Sequence, residues 1–356
     1  MHYVIGDIHG QIRELKILLK KLDLKPEDEV YFVGDWFDRS YTVEDTAEMV
    51  QWMLENLKEG SQFHSVVGNH DLDLLDRINL YQQNDRNSNS DMDWAFLATL
   101  PESEEEKYIR SCYPQLKALI ERMPLYETFT TEGQAFLVTH SWLWDKSEHP
   151  LSAKNFDWNH LDSYRSVWDR HFSVNEMEYE EEIPIVIHGH TPTLGKHDIW
   201  TEGCRALARI QKVTEKNIDV DCCAFYSPLR GGNLAAYRCE DGAEFYVYEE
   251  NDFYELVDRC WDKYAEEFTM GRFSITKTEW YFTVLFSDYC RVFHPEEDRV
   301  PQFTSEIAEK EYRKLRNMFS ECSEKENFFE LSRYRDRATR RIHGIVTKYW
   351  PMCREE

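Results

Sequence analysis

Short polar clusters are the informative feature of this sequence, and each places carboxylate, imidazole or amide groups together, nearly always beside glycine. They read Gly6-Asp7-Ile8-His9-Gly10, Gly34-Asp35-Trp36-Phe37-Asp38-Arg39, Gly68-Asn69-His70-Asp71, His140-Ser141 and His188-Gly189-His190-Thr191. Alone, each has a bland reading. A Gly-Asp is ordinarily a turn that needs backbone freedom, and Asn-His after Gly reads equally well as a helix N-cap. Their joint recurrence points to metal chemistry. Mixed imidazole and carboxylate ligands suit divalent transition ions such as Mn, Fe or Zn. Two such ions about 3.5–4 Å apart can clamp both oxygens of an in-line displacement, with one carboxylate bridging them and a water activated to hydroxide. The same reaction needs a placed acid for the leaving alkoxide and Arg forks for the phosphoryl oxygens.

The elements that must position these clusters are legible from apolar periodicity. Tyr3-Val4-Ile5, Val30-Tyr31-Phe32-Val33 and Phe63 to Val67 read as strands, and each runs into one of the first three clusters. Residues from Gln11 to Leu22 and from Glu44 to Leu57 carry helical spacing between them. Strands alternating with helices imply βαβ units in an α/β fold. Further strands are expected at Ala135 to Val138 and Ile183 to Ile187, which run into the two later histidine clusters. Strand ends are where open α/β sheets place ligands. Beyond them, Ile218 to Phe225, Asn233 to Tyr237 and Ala243 to Tyr248 suggest strands joined as hairpins. Gln82 to Asp93 is polar and reads as a loop, and Glu102 to Met123 reads as a helix. From Glu250 onward the pattern becomes helical, so residues 1–250 are expected as one domain and 251–356 as a helical C-terminal extension. The extension's aromatics (among them Trp261, Trp280, Phe328 and Trp350) are expected to be core.

Gly6-Asp7-Ile8-His9-Gly10, Gly34-Asp35-x-x-Asp38-Arg39 and Gly68-Asn69-His70-Asp71 resemble the three signatures of the phosphoprotein phosphatase family. That family is a branch of the calcineurin-like metallophosphoesterase superfamily. It holds serine/threonine protein phosphatases and symmetrical bis(5'-nucleosyl)-tetraphosphatases. His140 and Gly189-His190-Thr191-Pro192 resemble its bacterial and bacteriophage lambda-type members, and the likeness spans roughly residues 1 to 250. The resemblance implies a β-sandwich flanked by helices, with the active site at strand C-terminal ends and two divalent metals, Mn first, Fe or Zn as alternatives. It implies that Asp7 and His9 bind one metal, that Asp35 bridges, and that Asn69, His140 and His190 bind the second. His70 would be the general acid, oriented by Asp38. Arg39, Asn69 and Arg170, the last within Val167-Trp168-Asp169-Arg170, would bind phosphate. His188 is expected either to support a ligand from behind or to pack at the strand end, and not to bind metal itself.

Several positions depart from the protein phosphatase pattern. Ser40 stands where Gly is usual, Asp71 where Glu is usual, and Val67 where Arg is frequent; Ser141 and Trp142 follow His140. The Asp71-Leu72 context resembles the tetraphosphatases, whereas Asp38-Arg39 and Trp168-x-Arg170 resemble the protein phosphatases. The leading expectation is therefore a serine/threonine protein phosphatase acting on phosphoproteins. The alternative is a hydrolase of dinucleoside tetraphosphates or another small phosphorylated metabolite; stacking surfaces for adenine would then have to come from rings such as Trp36, Phe37 or Trp142, whose favoured reading is cover for the metal site. A third expectation is an interaction protein acting through its C-terminal region.

Composition narrows the partners. Lys+Arg is 42 and Asp+Glu is 67, a net charge of −25. Such a balance repels a phosphate backbone, and no long basic run offsets it, so nucleic acid is not expected as a partner. Nine cysteines lack a paired CxxC framework, which fits free thiols in a reducing compartment. The N-terminal residues do not read as a signal peptide, and no apolar run approaches the ~18 residues of a membrane span. A cytoplasmic location is the resulting expectation. Oligomeric state is not encoded in any motif.

Overall fold

The structure, a computed structural model, describes residues 1–83, 103–170, 182–193, 207–226, 228 and 231–249. The C-terminal extension expected over 251–356, with its aromatics, lies outside the described residues, as does most of the polar segment read as a loop. One compact unit comprises Met1–Thr193, Arg209–Phe225 and Leu234–Val247. The remaining described residues belong to a second unit, in which the Ala208 N–H donates to the Gly231 carbonyl.

Two five-stranded mixed sheets form the first unit. In the first sheet, β1 (His2–Ile5), β2 (Glu29–Phe32) and β3 (Phe63–Ser65) run parallel, with Ile5 beside Phe32 and Phe32 beside Ser65. The strands β9 (Ala235–Arg238) and β10 (Glu244–Tyr246) complete it as an antiparallel hairpin against β1. The second sheet has the order β4-β5-β6-β8-β7. Its parallel centre is β5 (Gln134–Thr139), β6 (Ile185–His188) and β8 (Asn217–Asp219). Its antiparallel edges are β4 (Tyr126–Thr131) and β7 (Gln211–Thr214). Glu132 and Gly133 both take positive φ between β4 and β5, the two-residue turn that matches strand twist. The sheets pack face to face through rings: Phe129 of β4 stacks on His2 and on Tyr31, each at 4.6 Å.

The helices connect and cover the parallel strands. Buried Ile12, Leu15, Leu18 and Leu22 form one face of α1 (Ile12–Leu22), which ends where Asp23 turns left-handed. Burying each such side chain contributes about 1.5–3 kcal/mol. The Thr42 side chain accepts the Asp45 N–H and starts α2 (Val43–Asn56). Trp52 of α2 packs on Trp36 and Phe63 at 5.7 and 5.3 Å, sealing that face of the first sheet. The next helix, α3 (Asn69–Gln83), begins at the third cluster itself. The helix expected from Glu102 to Met123 is two helices, α4 (Glu104–Ser111) and α5 (Tyr113–Ile120). Pro114 has no N–H to continue the ladder, so the chain breaks at Cys112. A short α6 (Ser163–Trp168) is capped by Asp162.

The strand expected over Ile218 to Phe225 stops at Asp219. There the Asp221 N–H turns onto the Asp219 carboxylate and the Cys223 N–H onto the Asp221 carboxylate, at 3.0 and 2.9 Å. These side chains offer the backbone an alternative to the ladder. No helix among the described residues is long and apolar enough to cross a membrane.

Candidate metal centre

Parallel strands of both sheets carry the five clusters, and their ends converge. His9 follows β1, Asp35 follows β2, and Asn69 opens α3 after β3; His140 follows β5 and His190 follows β6. The approach is tight. A Cβ on Gly68 would collide with the Asp35 carboxylate, and one on Gly189 with the Asp7 carboxylate. Only hydrogen at these two positions lets strand-end loops close to this distance.

Asp35 is the centre of the arrangement. Its Oδ2 lies 3.6 Å from His9 Nε2 and its Oδ1 3.5 Å from His140 Nε2. Two groups of candidate ligands share it: His9, Asp35 and His70, and Asp35, His140 and His190. The imidazoles are oriented from behind. His9 Nδ1 donates to the Phe37 carbonyl at 3.0 Å, and His140 Nδ1 donates to the Val33 carbonyl at 2.7 Å. Both rings thereby turn Nε2 and its lone pair toward Asp35, as metal-binding histidines require. His140 Nε2 and His190 Nδ1 each lie 2.8 Å from Asn69 Oδ1. The Asn69 amide nitrogen is buried with no partner. Lone-pair atoms facing one another in a dry site are the donor set a divalent cation takes, so the residues present fit the implied metal pair. Asp7 stands slightly apart from these groups. Its buried carboxylate accepts the His190 N–H at 3.1 Å.

Electrostatics follow burial. Burial opposes ionisation of Asp35, but His140 and His9 outweigh it and lower its pKa to about 2. Burial, with Asp221 and Asp35, raises that of Asp7. Burial lowers His9 to about 4 and, with His140 and Arg170, lowers His190 to about 2. These histidines are therefore neutral at physiological pH, the form in which imidazole binds metal.

His70 differs from the other imidazoles. Its Nδ1 pairs with Asp38 Oδ2 at 2.7 Å, and its ring is partly exposed. Burial works against protonation, but the Asp38 hydrogen bond and the Asp35 charge raise its pKa. Arg39 reaches between the two rings, with Nη1 3.0 Å from His9 Nε2 and Nη2 3.3 Å from His70 Nε2. Its guanidinium also covers the Phe225 ring at 4.1 Å. On the other side, Arg170 Nη1 donates to the His190 carbonyl at 3.0 Å. Every site residue singled out in the sequence is thus near this centre. His188 is buried, with Nε2 2.7 Å from Asn217 Oδ1, and packs at the strand end as expected.

Three rings do not fill the role considered for them. Trp36, Phe37 and Trp142 are 0%, 0% and 1% exposed, so none offers a face to adenine. Trp142 packs with Leu137, Leu143 and Trp144 in the core. Conversely, sequence reasoning did not find the work of Asp71, Arg77 and Glu105. Asp71 accepts the N–H groups of Asp35, Trp36 and Gly68 at 3.0, 2.8 and 3.0 Å, tying the second and third clusters together. Arg77 pairs with Asp38 at 3.5 Å. Its spacing from His70, two helical turns, was the available signal.

The calcineurin-like phosphoesterase family model matches residues 3–194 of the 356. A symmetrical bis(5'-nucleosyl)-tetraphosphatase of Actinobacillus pleuropneumoniae serotype 3 (strain JL03) is 36% identical over 74 residues, 20% of this chain and 25% of that protein. The chain thus spans about a quarter of the length of the curated relatives it matches. A Saccharomyces cerevisiae serine/threonine phosphatase with similarity to human phosphatase PP5 shares 17% identity at a TM-score of 0.39, over 69% of this chain and 78% of that one. A metallophosphoesterase from Sphaerobacter thermophilus shares 15% at a TM-score of 0.36, over 71% and 91%. With more than half its length matched, and with its strand-end donors gathered around Asp35, the chain belongs to the calcineurin-like phosphoesterase family.

Proposed function

We propose that this chain is a two-metal phosphoesterase that hydrolyses phosphate monoesters, with serine/threonine phosphoproteins as its substrate class. The observation that carries the reading is Asp35, which turns one carboxylate oxygen toward His9 and the other toward His140. Asp7, His9 and Asp35 would hold one divalent cation, and Asp35, Asn69, His140 and His190 the second; the mixed donor set suits Mn, Fe or Zn, and the family resemblance puts Mn first. When bound, such a pair supplies Lewis acidity and a nucleophile at neutral pH. The protein's own groups do the rest. Arg39 and Arg170, with Asn69, hold and orient the phosphoryl oxygens. Asp38 fixes His70 through Nδ1, so His70 Nε2 carries the proton given to the leaving oxygen.

The 36% identity to a tetraphosphatase favours a second reading, hydrolysis of dinucleoside tetraphosphates. Burial of Trp36, Phe37 and Trp142 removes the adenine platforms considered for it, which supports the monoester reading. On either reading residues 1–250 form the catalytic domain and 251–356 an appended region. The free thiols of Cys112, Cys222 and Cys239 support a reducing, cytoplasmic setting.

Phosphate release by Mn-reconstituted protein tests the proposal, comparing phosphothreonine peptides with diadenosine tetraphosphate. Faster turnover of peptides is expected. Preference for the dinucleotide would transfer the function to the second reading, release from neither would remove both substrate classes, and metal-independent release would overturn the two-metal reading itself.

A further inference from the structure

The loop that carries Asp38 and Arg39 is strained. Asp38 has φ 67 and Arg39 φ 132, both in the left-handed region and neither a glycine. Such residues cost on the order of 1–3 kcal/mol each and persist only where surrounding structure holds them. Two groups hold this loop. From one side the Gln11 side-chain amide donates to the His9 and Arg39 carbonyls at 2.9 and 3.1 Å. From the other, one carboxylate meets three successive residues. Glu105 Oε1 accepts the Asp38 N–H at 3.3 Å and the Ser40 hydroxyl at 3.0 Å, and Oε2 accepts the Arg39 N–H at 3.4 Å.

Glu105 reaches there because the start of α4 is pinned. Ser103 and Glu106 form a reciprocal capping box, which fixes the first turn of that helix. Glu106 also pairs with Arg77 at 3.3 Å, and Arg77 pairs with the Asp38 carboxylate at 3.5 Å. The first turn of α4 therefore grips Asp38 twice, at its backbone and through its side chain. Ser40, where the family usually has glycine, contributes the hydroxyl that completes the grip. Side chains here restrain a backbone that a glycine would leave free.

We propose that Glu105 is a positioning residue for catalysis: its carboxylate sets the Asp38–Ser40 loop so that Asp38 aligns His70 and Arg39 faces the phosphoryl group. The inference rests on the phosphoesterase reading. The hydrogen bonds of Glu105 go to Asp38, Arg39 and Ser40 and to none of the candidate metal ligands, so its loss acts on proton delivery and phosphate binding and leaves the metal centre loaded. A misaligned acid matters most when the leaving group needs a proton. Alkoxide leaving groups need one, and 4-nitrophenolate does not.

The test uses the full chain loaded with Mn, as wild type, Glu105→Ala and Glu105→Gln, on phosphothreonine peptide and 4-nitrophenyl phosphate. In Glu105→Ala, kcat on the peptide should fall at least ~10-fold further than on the aryl ester, with KM raised on both and bound Mn unchanged. Glu105→Gln keeps the shape and one acceptor oxygen, so it should show the same leaving-group bias at smaller size, about threefold. It carries the test by itself if the alanine variant does not fold. Equal losses on the two esters in either variant, no loss, or loss of Mn would overturn the positioning role. An inactive wild type would instead remove the function proposed above, and this inference with it.

Discussion

Each oxygen of the Asp35 carboxylate faces a different imidazole, and this division predicts how single substitutions separate. Asp35→Asn removes the charge that both candidate cation sites share. Metal analysis should show less than full occupancy of both; two fully occupied ions would exclude Asp35 as the bridge. His70 sits beside the same carboxylate, and its N–H donates to Asp35 Oδ1 at 2.9 Å, yet its ring is committed to Asp38. His70→Asn should lower kcat on alkyl phosphates by roughly 10²–10⁴, the usual worth of a placed acid. Bound metal should be unchanged, and its loss would make His70 a ligand instead. The difference between these two residues was legible in the sequence only through family resemblance. Spacing alone gives two histidines near two aspartates. The distinguishing fact is which nitrogen meets which carbonyl or carboxylate, and that is decided by residues distant in the chain, such as Val33 behind His140.

At the scale of elements, the site depends on how closely strand-end loops approach. Gly189 follows β6, and a Cβ there would run into the Asp7 carboxylate and the Val33 side chain. Gly189→Ala should push Asp7 off the His190 N–H and weaken metal binding, measured as Mn affinity by titration, while secondary structure persists. Unchanged affinity would show that the loop gives way without cost. The βαβ portion of the fold was readable because β1 and β2 are short apolar runs buried on both faces, while α1 and α2 each bury an apolar set at helical spacing. The elements that escaped notice have physical reasons. α3 begins within a functional cluster, so its opening offered a helix N-cap but its polar residues hid the helix behind it. β4, as Tyr-Glu-Thr-Phe-Thr-Thr, alternates between partial burial and solvent and lacks an apolar run. The grip of α4 on the Asp38 loop escaped because Glu105 is one acid in the run Glu104-Glu105-Glu106, and only tertiary contact separates it from its neighbours.

Across the whole first unit, the site concentrates buried acids, and that couples stability to pH and to metal. Asp71 is fully buried. Burial and the Asp35 charge hold its pKa up to about 7, against three backbone N–H donors that pull it down. Asp7 is raised in the same direction by burial, Asp221 and Asp35. A folded-state pKa above the unfolded value favours the protonated fold. For Asp71 that contribution is complete below 3.8 and is lost as pH rises through about 7. The metal-free protein should therefore lose stability from these groups across this window. His9 and His190, lowered from 6.5 to about 4 and about 2, bind fewer protons folded than unfolded, so they gain stability as pH rises toward 6.5 and offset the loss in the lower part of this window but not above it. A divalent cation at Asp35 neutralises the charge that raises its neighbours and binds best once Asp7 is ionised. Bound at ~100 times its Kd, one cation contributes ~2.7 kcal/mol, or several degrees in Tm for a domain of this size. The gap in Tm between Mn-loaded and chelator-treated protein should thus widen between about pH 5.5 and about pH 8. A gap that is constant or narrows with pH would mean that the buried carboxylates are not where the cations bind.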